Sequence, residues 1–132
     1  MVNPSRNRRK GFNAERELVK ILRENGFPHI ARVNVSGVSQ PLPDVIGARK
    51  GVMYGFEVKS TNESKKTFYF REFDNIRAWL VELSEARVKS RGFLAVRFKG
   101  GVWRLYPIYP DVEKITVGTN KGISLERFIR NG

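Results

Sequence analysis

The stretch from Asp44 to Ser60 constrains the fold of this chain more than any other. Two β-prone runs, Asp44–Ala48 and Val52–Ser60, flank Arg49-Lys50-Gly51, the pattern of a hairpin closed by a short glycine-containing turn. If Lys50-Gly51 is a two-residue turn, Arg49 pairs with Val52, and counting outward puts Asp44 directly opposite Glu57. Opposed residues project from one face of a sheet with Cβ atoms roughly 4.5–5.5 Å apart, a spacing suited to two carboxylates sharing one ion. Lys59 falls on that same face, and Phe56 and Val58 fall on the other. A register shift of one residue would separate the two acids, so the constellation stands or falls with the turn.

Around this hairpin the chain reads as one α/β layer domain. Residues 12–25 form a helix ended by Gly26 ahead of Pro28. Ala14, Leu18, Ile21 and Leu22 repeat at the spacing of a buried face. Glu15 falls on the apolar side of that helix, roughly 60° from Leu18 on a helical wheel. An inward acid needs a partner, because an unpaired buried charge costs several kcal/mol. His29 to Val35 reads as a strand, Thr61 to Lys66 as a polar loop, Phe68 to Phe70 as a short strand, and Arg71 to Lys89 as a second helix. Phe93–Phe98 and Val102–Tyr106 form a hairpin around Lys99-Gly100-Gly101, with a first strand apolar on both sides and so covered on both faces. A Pro- and Gly-rich segment leads to a last amphipathic helix bearing Leu125, Phe128 and Ile129. Residues 1–10 read as a flexible basic arm and residues 11–132 as the folded domain.

Composition narrows the chemistry. With 132 residues the chain suits a single modest core. Its 25 Lys and Arg against 13 Asp and Glu give a net charge of +12, which favours a nucleic-acid partner. No apolar run is long enough to span a bilayer, so no membrane partner is expected. Cysteine is absent and His29 stands alone, which removes thiol nucleophiles, zinc ribbons and His-rich metal sites. Carboxylates remain as the plausible ligands, and they select hard cations such as Mg²⁺, with Mn²⁺ as substitute. Asp44, Glu57 and Lys59 therefore read as a metal-dependent phosphodiesterase centre: the acids hold the cation, and the lysine positions water or meets charge building on phosphate. The competing reading is a salt bridge on an exposed sheet face. His29, beside Pro28, reads as structural or exposed.

Pro43-Asp44…Glu57-Val58-Lys59 resembles the PD-(D/E)xK nuclease motif. Gly11-Phe-Asn-Ala-Glu15-Arg16-Glu17-Leu18 is similar to the first helix of archaeal Holliday junction resolvases of the Hjc type. The likeness continues through Ala31-Arg32, Pro41–Ile46, Phe68–Glu72, Phe93–Phe98, Trp103-Arg104 and Ile123–Glu126. The resemblance implies a restriction-endonuclease-like core, a central mixed sheet flanked by helices. It implies Mg²⁺-dependent cutting of four-way DNA junctions in recombination and repair, by a homodimer placed with the DNA in an archaeal cytoplasm. It assigns metal-associated roles to Glu15, Asp44, Glu57 and the Val58 carbonyl, and the catalytic lysine to Lys59. Arg16 and Arg32 match arginines implicated in junction binding or cleavage. Ser36 matches a serine near the cleaved strand, with Ser39 as rival, and Tyr69 an aromatic that either touches DNA or packs.

Arg8, Arg9 and Lys10, together with Lys65 and Lys66, read as phosphate contacts or as solvated charges. A two-fold dimer would supply two sites for two nicks, and Trp79, Phe93, Trp103 and Phe128 are candidates for its interface or for the core. The alternatives to a resolvase are a related nuclease acting on flaps, mismatches or duplex, and a non-catalytic basic DNA- or RNA-binding protein.

Overall fold

A computed structural model describes residues 4–33 and 40–131, with residues 4–12 given by their helical backbone alone. Helix α1 is Pro4–Glu24, and strands β1 (His29–Arg32), β2 (Val45–Arg49) and β3 (Val52–Thr61) follow. Next come β4 (Lys65–Tyr69), a 3₁₀ turn at Phe70–Phe73, and α2 (Asp74–Glu85). The chain closes with β5 (Ser90–Phe98), β6 (Val102–Ile108), β7 (Lys114–Gly118), β8 (Ile123–Ser124) and α3 (Leu125–Asn131). Six strands form one sheet in the order β1-β2-β3-β5-β6-β8, and β4 and β7 form a separate two-stranded ribbon. In the main sheet only β3 and β5 run parallel, so the sheet is mixed.

The hairpin register is as expected. Lys50 and Gly51 both have positive φ, 51° and 77°, the backbone of a type I′ turn, and Arg49 faces Val52 while Val45 faces Phe56. One step further out the ladder ends, and the Asp44 side chain stays within hydrogen-bonding reach of Glu57. β5 is buried along most of its length, as its two-sided apolar pattern requires.

The sheet separates two cores. On one face α1 and α3 bring Leu18, Leu22, Leu125 and Phe128 onto Phe27, Tyr54, Phe56 and Phe93. On the other, α2 and the ribbon bring Ile76, Trp79, Phe68 and Val117 onto Leu94, Val96 and Phe98. Gly26, at φ 101°, closes α1, and the Phe27 N–H donates to the Leu22 carbonyl at 3.0 Å. Among the described residues, no helix is long and apolar enough to cross a membrane.

Three expectations change, and one open alternative is decided. The first helix starts at Pro4 rather than residue 12, so residues 4–11 carry helical backbone. Pro at a first turn favours helix, Arg6, Arg8, Arg9 and Lys10 are good helix formers, and Gly11 is the strongest breaker in the segment. Lys65 and Lys66 lie in β4, not in a loop, because β7 pairs with them. The second helix is shorter at both ends: Phe73 leaves helical geometry, and the Lys89 carbonyl is taken by the Met53 N–H at 2.9 Å. Trp79, Phe93, Trp103 and Phe128 are at most 6% exposed, so all four are core within one chain and leave no surface for an interface.

Candidate active site

Asp44 reaches its place because Pro43 is seated. Gly55 has no side chain, and a Cβ there would lie 2.6 Å from the Trp79 ring and 2.8 Å from Pro43 Cγ. The bare backbone lets buried Pro43 settle against β3. Beyond the last β2–β3 pair the chain turns away, and the Asp44 carboxylate replaces the ladder: its Oδ2 accepts the Val58 N–H at 2.9 Å. In an extended strand a residue's carbonyl points to the same side as its N–H, so the Val58 carbonyl also faces the Asp44 side of β3.

Glu57 lies beside this group with only 14% of its side chain exposed, and Lys59 Nζ is 3.7 Å from Glu57 Oε1. The half-buried lysine and nearly buried acid replace the exposed salt bridge of the competing reading. Burial, then the Asp44 charge and a hydrogen bond to Asp44, push the Glu57 carboxyl up to about 8, against the pull of Lys59. Two carboxylates in a poorly hydrated place share a proton when no cation neutralises them.

Glu15 has the partner that its inward position demanded. Its Oε1 accepts the Arg32 Nε–H at 3.2 Å, with the two side chains 16% and 19% exposed. Burial and then Asp44 raise its carboxyl, and Arg32 opposes both. Arg16, one residue on, is exposed.

One anchoring acid was not singled out from the sequence. Glu17 takes Arg97 at 3.0 Å through Oε2 and the Trp103 indole N–H at 3.3 Å through Oε1, fixing α1 over β5 and β6 and so setting the rotation that points Glu15 inward. The available signal was Trp103 itself, since a buried indole needs an acceptor.

Of the remaining predicted residues, Lys65, Lys66 and Tyr69 are exposed on the ribbon. Ser36 and Ser39 lie outside the described residues, and Arg8, Arg9 and Lys10 lie on the N-terminal part of α1, where side chains are not described.

The donors fit a hard divalent cation: the Asp44 and Glu57 carboxylates lie within hydrogen-bonding reach of each other, the Val58 carbonyl is on the same side, and all three offer oxygen. Among the described residues, no three acids or histidines converge as a ready ligand set, because Glu15 is turned to Arg32. The fit rests on Asp44, Glu57 and Val58, with Glu15 one step behind.

A family model described as archaeal Holliday junction resolvase (Hjc) matches residues 6–132. Crossover junction endodeoxyribonuclease Hje of Sulfolobus acidocaldarius is 32% identical over 124 residues, 93% of this chain and 86% of the relative. Crossover junction endodeoxyribonuclease Hjc of Methanocaldococcus jannaschii is 33% identical over 99 residues, 75% of this chain and 67% of that protein. The solved structure of Archaeoglobus fulgidus Hjc, a Holliday junction resolvase, superposes with a TM-score of 0.68 at 18% identity, covering 93% of this chain and 98% of that one. That last likeness establishes the fold alone, a mixed sheet flanked by helices shared with the Archaeoglobus protein.

Proposed function

The chain belongs to the archaeal Holliday junction resolvase family, and from that premise we propose that it cuts four-way DNA junctions by metal-dependent hydrolysis as a homodimer. The observation that carries the chemistry is the carboxylate–lysine cluster at the end of the hairpin: Asp44 accepts the Val58 N–H at 2.9 Å, and nearly buried Glu57 lies 3.7 Å from Lys59 Nζ.

Asp44, Glu57 and the Val58 carbonyl would hold Mg²⁺, or Mn²⁺ in its place. When bound, the ion supplies positive charge to the scissile phosphate and makes a neighbouring water more acidic. Each residue then has a task. Glu57 gives up the proton it shares with Asp44, so that both acids face the site as carboxylates. Lys59, 3.7 Å from Glu57, presents Nζ to charge building on the phosphate oxygens as water attacks in line. Glu15 holds Arg32 by its Nε and so keeps a cation beside the site for the DNA backbone, and exposed Arg16 adds a second. Recognition through phosphate contacts fixes position without reading bases, as a junction-selective enzyme requires.

Two nicks related by a two-fold axis call for two sites so related, which an isologous dimer supplies. A solution mass near twice 15.2 kDa is expected by analytical ultracentrifugation.

The deciding experiment is cleavage of a labelled four-way junction beside matched duplex and flap DNA, with Mg²⁺ and with EDTA. Paired, Mg²⁺-dependent nicks confined to the junction support the proposal. Preference for flap or duplex would keep the nuclease and discard the substrate, and binding without cutting in either metal would leave only a DNA-binding protein.

A further inference from the structure

The β4–β7 ribbon, which the main sheet does not need for closure, presents an outward face of its own. Its register sets Lys65 against Gly118, Thr67 against Thr116 and Tyr69 against Lys114. Phe68 and Val117 point inward and pack on Leu94 and Val96. Those two residues pair with Glu57 and Lys59 across β3 and β5 and so share their face of the sheet. The ribbon and the catalytic pair therefore stand on one side of the main sheet, and β4 begins after residues 62–64, directly beyond the catalytic strand.

By alternation the outward face consists of Lys65, Thr67, Tyr69, Lys114 and Thr116. Tyr69 is 59% exposed, and both lysines are exposed. The Thr67 and Thr116 hydroxyls meet at 3.0 Å across the ribbon. No acid lies on this face. The nearby Glu72 carboxylate is held at the strand end, where it takes the Tyr69 N–H at 3.0 Å. An exposed ring directly opposite one lysine, with a second lysine on the same face at the other end of a rigid strand pair, matches a stacking platform: lysines take phosphates, and the aromatic face takes a base whatever its identity.

Resting on the function proposed above, we infer that this ribbon is a selectivity element, with Tyr69 stacking on a base exposed at the branch point and Lys65 and Lys114 gripping the flanking phosphates. Charge complementarity with the chain's net +12 favours DNA as the occupant. An intact duplex offers no exposed base face along its length, so Tyr69 would distinguish a junction from a duplex where the lysines cannot.

The test uses the full chain in EDTA with a four-way junction carrying 2-aminopurine at the branch, and a duplex of matched length. Wild type should change the 2-aminopurine emission, Tyr69→Phe should keep that change, and Tyr69→Ala should lose it. Tyr69→Ala should weaken junction binding by about ten-fold or more and duplex binding far less. Lys114→Gln should lower the slope of log K against log salt by about 0.9, and Lys65→Gln with Lys114→Gln by about 1.8. Arg91→Gln removes one charge at the far end of the sheet and should change junction binding by less than about two-fold, separating local contact from net charge.

If wild type cuts junctions while Tyr69→Ala and Lys114→Gln bind, slope and emit like it, the ribbon inference fails and the resolvase stands. If wild type neither prefers nor cuts a junction, the proposed function falls and the inference falls with it. Equal loss on duplex and junction in Tyr69→Ala would also overturn the selectivity role.

Discussion

The two sides of β3 are built to opposite ends. Toward α1 and α3, Tyr54 and Phe56 enter a set of rings: Tyr54 meets Phe27 edge-on at 5.2 Å and Phe56 stacks on Phe93 at 6.1 Å. The packing there is apolar and close, with Phe27, Phe56 and Leu18 fully buried. On the opposite side Glu57 and Lys59 stand in a partly dry place, where Asp44 opposes the ionisation of Glu57. Alternation along one strand thus sets a stable face against a strained one, two bond rotations apart. The apolar face holds the strand rigid, and that rigidity keeps like charges together on the other side when free side chains would separate.

The comparison can be broken most sharply at residues 56 and 57. Glu57→Ala should abolish Mg²⁺-dependent junction cleavage while junction binding persists, read by gel-resolved product and by anisotropy. Loss of binding in parallel would mean that Glu57 shapes the surface instead. Its neighbour should behave in the reverse sense: Phe56→Ala should destabilise the fold by about 3–5 kcal/mol, through lost burial and a cavity. Urea unfolding measures this, and a cost below about 1 kcal/mol would mean that the ring cluster is not the support described.

Titration sharpens the contrast. A carboxyl whose folded pKa lies above its ordinary value binds more protons folded than unfolded, so stability falls as pH rises. For Glu57 the window runs from about 4.5 to about 8, and the raised Glu15 carboxyl adds to the same slope. Metal-free protein should therefore be more resistant to urea at pH 5 than at pH 8 on this account. Glu57→Gln should flatten the slope, and Mg²⁺ at pH 8 should restore stability by binding the ionised pair. A flat profile in the metal-free wild type would remove the strained pair from the account.

A smaller effect is expected at Arg32→Gln. It leaves Glu15 half-buried with a neutral partner, which should cost about 1 kcal/mol and slow cleavage without abolishing it. Unchanged stability and rate would mean that the Glu15–Arg32 pair is incidental.

How much of this was legible in the residues depended on whether the information was local. The turn at Lys50-Gly51 is a two-residue device, and it fixed the Asp44–Glu57 opposition before any tertiary contact. Glu15 was legible as an inward acid because helix periodicity places it, but its partner Arg32, seventeen residues away, was not. The ribbon was missed because Lys114–Gly118 has a weak pattern of its own, with only Val117 and Gly118 buried, and becomes a strand by pairing with a segment about fifty residues earlier. The first helix was cut short because charge without apolar periodicity reads as a tail.

By itself the sequence determined the hairpin register, the two-sided burial of β5, the carboxylate–lysine triplet and the positive charge, since each follows from spacing along a strand or from composition. Only the tertiary structure decided that Glu57 is dry enough to hold its proton, that Arg32 answers Glu15, that Trp79, Phe93, Trp103 and Phe128 are core, and that Tyr69 and Lys114 share one outward face. Those outcomes depend on desolvation and on contacts between segments remote in the chain, and neither exists until the layers have packed.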